Sequence, residues 1–309
     1  MTRYLIRRLF MTIVALWAIV TITFFLMHAI PGGPFSREKE LPAIVIKNLE
    51  RRYHLDWPMW KQYGYYLWNV CKWDFGPSFK YPSRTVNEII ADGFPVSATL
   101  GAVAIGMSLL IGIPIGIVSA FRQYKWQDNI TRFVATLGVA LPNYVIAAGL
   151  IYFVGVKLHW LPVARWGTWD RAIMPAIALA GFPAAFITRL VRSSMLEVLQ
   201  QDYIRTAKAK GLPGETVLYR HALRNALIPV VTYLGPLIAG IFTGVFVIER
   251  MFAIPGLGDA FVNSISNRDY TMILGVTVFY SALLLFMNFL VDVAYVFIDP
   301  RIKFLEGED

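Results

Sequence analysis

Between Leu9 and Ile30 the chain carries no formal charge for 22 residues. As a helix this run extends about 33 Å, enough to cross the hydrocarbon core of a bilayer. Arg3, Arg7 and Arg8 precede it, as they would in a signal peptide. The run is too long for the apolar region of such a leader, and Met27-His28-Ala29-Ile30-Pro31 is a poor small-x-small cleavage site. A retained first transmembrane helix is expected.

Five later stretches have the same character: Ala98–Phe121, Phe133–Val156, Ala172–Val191, Ala226–Ile248 and Thr271–Ile298. Arg189 and Arg192 shorten the apolar part of the fourth, whose helix should continue past the membrane to about Leu199. Only 16% of residues are charged, against roughly a quarter in a soluble domain. The expected fold is an all-α integral membrane protein with six transmembrane helices.

The net charge of +9 does not point to nucleic acid, because the basic residues sit beside the apolar runs, where they anchor helices against anionic lipid. The single cysteine, Cys71, and four scattered histidines provide neither an internal disulfide nor a metal-ligand cluster. The distribution of Lys and Arg sets the orientation. Arg122, Lys125 and Arg132, the many basic residues between Arg189 and Arg224, and Arg301 with Lys303 fall on the same side as the N-terminus. Both termini are therefore expected in the cytoplasm. The resulting organisation is a cytoplasmic N-terminus with the first helix (1–30), an extracytoplasmic segment (31–97), a five-helix core (98–298) with a cytoplasmic loop at 197–225, and a cytoplasmic tail (299–309).

Within the outer segment, Leu41–Leu55 and Pro58–Trp73 read as helices, and Thr85-Val86-Asn87-Glu88 has capping-box spacing. Its crowd of Trp and Tyr between Trp57 and Trp73 suits a small cap anchored at the interface, or a docking surface or pore mouth.

Several chemistries are missing. The chain has no Gly-x-x-x-x-Gly-Lys-Ser/Thr, His-Glu-x-x-His or Gly-x-Ser-x-Gly, so it lacks the common signatures for ATP binding and hydrolysis chemistry. Asp292 is the one acid well inside a span, thin equipment for coupling to protons or sodium. Six prolines (114, 142, 175, 183, 229 and 236) do lie within spans, as kinked, rocking or cavity-lining helices require.

The loop between the fourth and fifth spans is the most specific segment. Gln200–Lys210 reads as a short helix with Asp202 near its start and Lys at its end, matching the helix dipole. Gly211 suits a left-handed cap, and Pro213 opens a second helix, Gly214 to Asn225. A basic loop lying on anionic lipid would look similar, yet Thr206, Ala207 and Ala209 keep part of it small enough for close docking against a protein.

Tyr203-Ile204-Arg205-Thr206-Ala207-Lys208-Ala209-Lys210-Gly211-Leu212, followed by Arg220-His221-Ala222-Leu223-Arg224-Asn225-Ala226, resembles the EAA loop of ATP-binding-cassette importer permeases, in its dipeptide/oligopeptide/nickel form. Arg205-Thr206-Ala207 take the glutamate-alanine-alanine positions, and Arg224 replaces a proline of the general motif. Tyr53-His54-Leu55-Asp56, Trp73-Asp74-Phe75-Gly76-Pro77-Ser78-Phe79-Lys80-Tyr81, Leu158-His159-Trp160-Leu161-Pro162, Ile254-Pro255-Gly256-Leu257-Gly258, Asn267-Arg268-Asp269-Tyr270 and Asp299-Pro300-Arg301 extend the likeness to B-type oligopeptide permeases over nearly the whole chain.

The resemblance implies a type I importer in a bacterial or archaeal cytoplasmic membrane. This chain would be its translocation-pore subunit, paired with a second homologous permease, one or two ATPase subunits and an extracytoplasmic peptide-binding protein. It would bind no cofactor and catalyse nothing itself; ATP and Mg would be used by the partners. The loop would be the coupling helix received by the ATPase, with Tyr203, Arg205, Thr206, Ala207, Lys208, Ala209 and Gly211 as its site, Arg205 and Lys208 equally suited to phospholipid headgroups. Glu249 and Asp269, near the external mouth, fit a gate or a binding-protein contact, or structural pairs with Arg250 and Arg268.

Overall fold

The computed structural model describes residues 2–30, 43–81, 83–244 and 246–298. The 31–42 stretch, the side chains of Arg3 and Asp292, and the tail with Arg301 and Lys303 lie outside the described residues. Among those described, the chain is helical and contains no strand, only an isolated antiparallel bridge between Pro77 and Thr85.

Helix α1 is Thr2–Ala29, α2 Ala43–Arg52, α3 Met59–Cys71 and α4 Val86–Phe121. Helix α5 is Trp126–Ala140, and α6, Asn143–Leu150, runs on into wide π-helical turns over Ile151–Lys157. Next come α7, Trp169–Leu199; α8, Asp202–Ala209; and α9, Gly214–Thr216, which continues through π turns at Val217–Ala222 into α10, Leu223–Ala226. Helices α11 (Ile228–Gly244), α12 (Phe246–Met251), α13 (Leu257–Asn267) and α14 (Tyr270–Ile298) complete the order.

Four helices, α1, α4, α7 and α14, are individually long and apolar enough to cross a membrane, and the number becomes six when each of two bent pairs counts as one span. The third expected span, Phe133–Val156, is one of those pairs: α5 and α6 meet at 104°. Its cause is Pro142. The proline cannot donate a helical hydrogen bond, and it drives Leu141 into an extended conformation with ψ of 123°. The other bend, 45°, lies between Gly214–Ala226 and Ile228–Phe242, so the fifth span starts from a helix already running through the loop.

Packing divides the chain into two units, Met1–Ser97 with Pro255–Phe289, and Ala98–Ile254 with Leu290–Asp309. In the first unit, Val20, Phe75, Val86, Ile90, Leu257, Met272 and Val276 form a buried apolar cluster. The capping box is realised at the start of α4: the Thr85 amide donates to Glu88 Oε2 at 3.0 Å, and the Glu88 amide to Thr85 Oγ1 at 3.2 Å. In consequence α4 is a 36-residue helix that begins well before the apolar run.

The second unit is built on small residues. A Cβ placed on Gly116 would lie 2.7 Å from Val191 Cβ and 2.8 Å from the Thr188 carbonyl oxygen; one on Gly112 would lie 2.9 Å from the Ala184 carbonyl oxygen. Ser108, one turn earlier, hydrogen-bonds the Ala104 carbonyl at 2.7 Å and touches that of Ala180 at 3.5 Å. This small-x-x-x-small row lets α4 lie against α7 nearly backbone to backbone, the way helices gain contact where lipid removes the hydrophobic drive between them.

Candidate functional site

The loop residues assemble into a braced two-helix elbow. Helix α8 ends in a Schellman arrangement: the Gly211 amide donates to the Lys208 carbonyl at 3.0 Å and the Leu212 amide to the Ala207 carbonyl at 3.4 Å. Gly211 has φ of +72°, and a Cβ added there would meet no heavy atom within 4 Å, so glycine is needed for the backbone and not for space. Across the elbow, Asn225 Nδ2 donates to Tyr203 Oη at 2.8 Å.

Burial then sorts the predicted residues into two faces. Ile204 and Ala207 are buried in the chain itself, as are Val217, Ala222 and Ala226 on the second helix. Tyr203, Arg205, Thr206, Lys208 and Ala209 are exposed. Ala207, expected among the docking residues, therefore seats the loop on its own body. The Arg205–Asp202 pair at 3.5 Å is fully solvated and contributes little.

On the same unit lies a cluster that sequence reasoning passes over. Asp128, wholly buried, receives Arg192 Nε at 2.6 Å on Oδ1 and Nη2 at 2.8 Å on Oδ2. Ser119 Oγ donates to Oδ1 at 2.6 Å and the Tyr124 amide to Oδ2 at 3.0 Å. One carboxylate thereby ties the end of α4, the turn after it, the start of α5 and the last third of α7. Asp128 and Arg192 are 64 residues apart, and no local spacing marks them as a pair.

Asp269 is also buried, held by the Ser78 and Thr271 hydroxyls and by backbone amides. Ser78 Oγ donates to its Oδ2 at 2.5 Å, the Phe79 and Met272 amides to Oδ1 at 3.1 Å each, and the Lys80 amide to Oδ2 at 3.3 Å. Where the sequence offers Arg268 as its partner, the folded chain makes Asp269 a cap. It is the N-cap of α14, and the same carboxylate organises the Ser78–Lys80 turn some 190 residues away. Removing the charge should loosen both: Asp269→Asn is expected to cost about 1–2 kcal/mol, from a weakened cap and an unmet donor, read as a lower melting temperature of the detergent-purified protein. Glu249, on α12, is fully buried.

The chain is thus a multi-span membrane protein carrying an exposed, braced two-helix loop. The family model described as "Binding-protein-dependent transport system inner membrane component" matches residues 112–304, and "Binding-prot-dependent transport system membrane comp, N-term" matches residues 1–101. The chain belongs to this family of binding-protein-dependent transport permeases. It is 50% identical over 303 residues, 98% of each chain, to the dipeptide transport system permease protein DppB of Bacillus subtilis. It is 43% identical to the oligopeptide transport system permease proteins OppB of Haemophilus influenzae, over 306 residues, and Salmonella typhimurium, over 307, covering 98% of this chain and all of each relative.

Proposed function

We propose that this chain is the translocation-pore subunit of an ATP-driven peptide importer, taking dipeptides or oligopeptides delivered by an external binding protein. The observation that carries the reading is full-length similarity to permeases of peptide systems, joined to an exposed, braced loop where such a permease would meet its ATPase. The chain would pair with a second permease, and both termini and the 197–225 loop would face the cytoplasm, in keeping with the excess of Lys and Arg there.

ATP-driven closure of the partner ATPases would press on the outward face of α8, where Tyr203, Arg205, Thr206, Lys208 and Ala209 stand. Ile204 and Ala207 would pass the displacement into the body. ATP and the loaded binding protein would each favour one of two conformations, alternating access between the two sides. Nucleotide and Mg would be held by the partners.

Gly211 gives this reading a direct test. Gly211→Val places a branched side chain at positive φ and strains the elbow by about 1–2 kcal/mol, so loss of ATPase association and of uptake is expected. Gly211→Asn, which tolerates the left-handed cap, should restore much of both. Normal association and uptake in the valine variant would remove the elbow from the mechanism.

The first experiment is to tag the chain, extract it in mild detergent and identify what copurifies. A second six-helix permease with one or two P-loop ATPases, and ATP hydrolysis stimulated by peptide, is the expected result. Recovery of the chain alone, moving solute down an imposed ion gradient in liposomes, would replace the importer with an ion-coupled carrier.

A further inference from the structure

Helix α3 packs along the last third of α1, within the apolar run and not beyond it. Tyr63 Oη and Thr21 Oγ1 share a hydrogen bond of 2.7 Å, and the Tyr63 ring centre lies 5.4 Å from those of Phe24 and Phe25. Tyr66 stacks on Phe24 at 5.5 Å, and Gln62 Oε1 is 3.2 Å from His28 Nε2. The uncharged run of α1 ends at Ile30. At the helical rise, Thr21 stands about 13 Å and His28 about 3 Å short of that end. Where α1 crosses the bilayer, α3 is therefore held near the boundary of headgroups and acyl chains, a depth of about 5–10 Å that interfacial helices take.

The side of α3 turned away from the body suits that depth. Gln62, Tyr63, Tyr66, Leu67 and Val70 make the inward side, and Trp60, Gly64, Trp68 and Cys71 fall opposite them on the helical wheel. Trp60 is 75% exposed, Trp68 61%, and Cys71 is exposed as well. Lys61 and Lys72 border this side, with Nζ 3.9 Å from the centre of the Trp57 ring and 4.6 Å from that of Trp68, respectively. Helix α3 has no acidic residue. At a bilayer boundary Trp sits with its ring among the acyl chains, and Lys reaches past it to the phosphates. Phe25, 46% exposed on α1, touches Tyr63, so the apolar outer surface of α1 continues onto α3.

We infer that α3 is seated in the phospholipid leaflet around the C-terminal end of α1, with Trp60 and Trp68 among the upper acyl chains and Lys61 and Lys72 on the phosphates. A docking surface for a water-soluble protein would have to stand clear of the bilayer, and the contacts with Thr21 and Phe24 forbid that. The aromatic crowd that begins at Trp57 is then a second membrane anchor. It fixes the height of that end of α1 whatever solute is carried.

Cys71, the sole cysteine, reports on this side of α3 without any substitution. The full-length chain, purified with cysteine-free partner subunits, is nitroxide-labelled at Cys71 in nanodiscs of phosphatidylcholine with phosphatidylglycerol. Spin relaxation by oxygen, which concentrates in lipid, is compared with relaxation by a water-soluble nickel chelate. Leu110→Cys, 78% exposed within the apolar run of α4, and Glu215→Cys, exposed on the loop, each with Cys71→Ser, supply the lipid and water references. The expected oxygen-to-nickel ratio at Cys71 lies between the two, and Trp60→Ser with Trp68→Ser shifts it toward water. A ratio at Cys71 equal to that of the Glu215→Cys label would put α3 in water and overturn the assignment. A label that neither reagent relaxes would put a partner subunit on this face and overturn it equally. Because both readings are made on the unsubstituted chain, they stand even where the double serine variant fails to fold. A folded double variant with an unchanged ratio would overturn the role of the two Trp side chains.

Discussion

Asp128→Ala should destabilise the protein by about 2–3 kcal/mol, below the full effect of stranding a buried charge because Arg192 is partly exposed. Arg192, about one-fifth exposed, would keep its charge without a partner, and the buried Ser119 hydroxyl and the Tyr124 amide would lose their acceptor. The measurement is thermal unfolding of the detergent-purified protein by intrinsic fluorescence. The double variant Asp128→Ala with Arg192→Leu is the informative companion, because it removes the stranded charge and should recover a large part of the loss. Equal melting temperatures for wild type and Asp128→Ala would show that the carboxylate holds nothing together, and the tie between α4, α5 and α7 would have to be sought elsewhere.

Gly116→Leu is the second large effect. Even the first carbon of the new side chain meets a backbone oxygen at 2.8 Å, which no rotamer change relieves, and the rest must push α4 away from α7. Overpacking of this kind costs about 1–3 kcal/mol, and the backbone contact places Gly116→Leu at the upper end. Gly106 supplies the contrast on the same helix. A Cβ there meets nothing within 4 Å, and Gly106→Ala should be neutral or stabilising by up to about 1 kcal/mol through reduced freedom of the unfolded chain. Similar melting temperatures for Gly116→Leu and Gly106→Ala would mean that α4 and α7 do not approach so closely in the membrane.

What is readable in the sequence follows from the range of the interactions. The first helix, the capping box at Thr85, the left-handed Gly211 and the two-helix loop depend on residues within a few positions of one another, and each appears where the local pattern puts it. The sharp break is only half legible. Pro142 is one of six prolines within spans, and nothing local distinguishes it from Pro183 or Pro236, which are accommodated inside α7 and α11. Neighbouring helices decide which proline bends its helix and which is absorbed.

Long-range partnerships are not legible at all. In the sequence Asp269 looks like a partner for adjacent Arg268, and in the folded chain donors reach it from Ser78 to Lys80. Asp128 lies among exposed and polar neighbours, and only the folded chain brings Arg192 to it. The two-faced character of α8 is partly visible, since Ile204 and Ala207 are three apart, but the sequence does not say which face the body takes.

That division of α8 has a consequence for how such loops can change over time. The side chains that fix its shape from below, Ile204 and Ala207, answer only to this chain, and exposed Tyr203, bonded to Asn225, serves both the elbow and the outward face. Those that would meet an ATPase, Arg205, Thr206, Lys208 and Ala209, are free of packing obligations. On the proposed docking role, affinity for a partner and integrity of the fold would, Tyr203 apart, be written on separate letters of one short helix. In that proposed role, the permease would exchange one ATPase for another by altering a few solvent-facing residues, with no repair needed in its core.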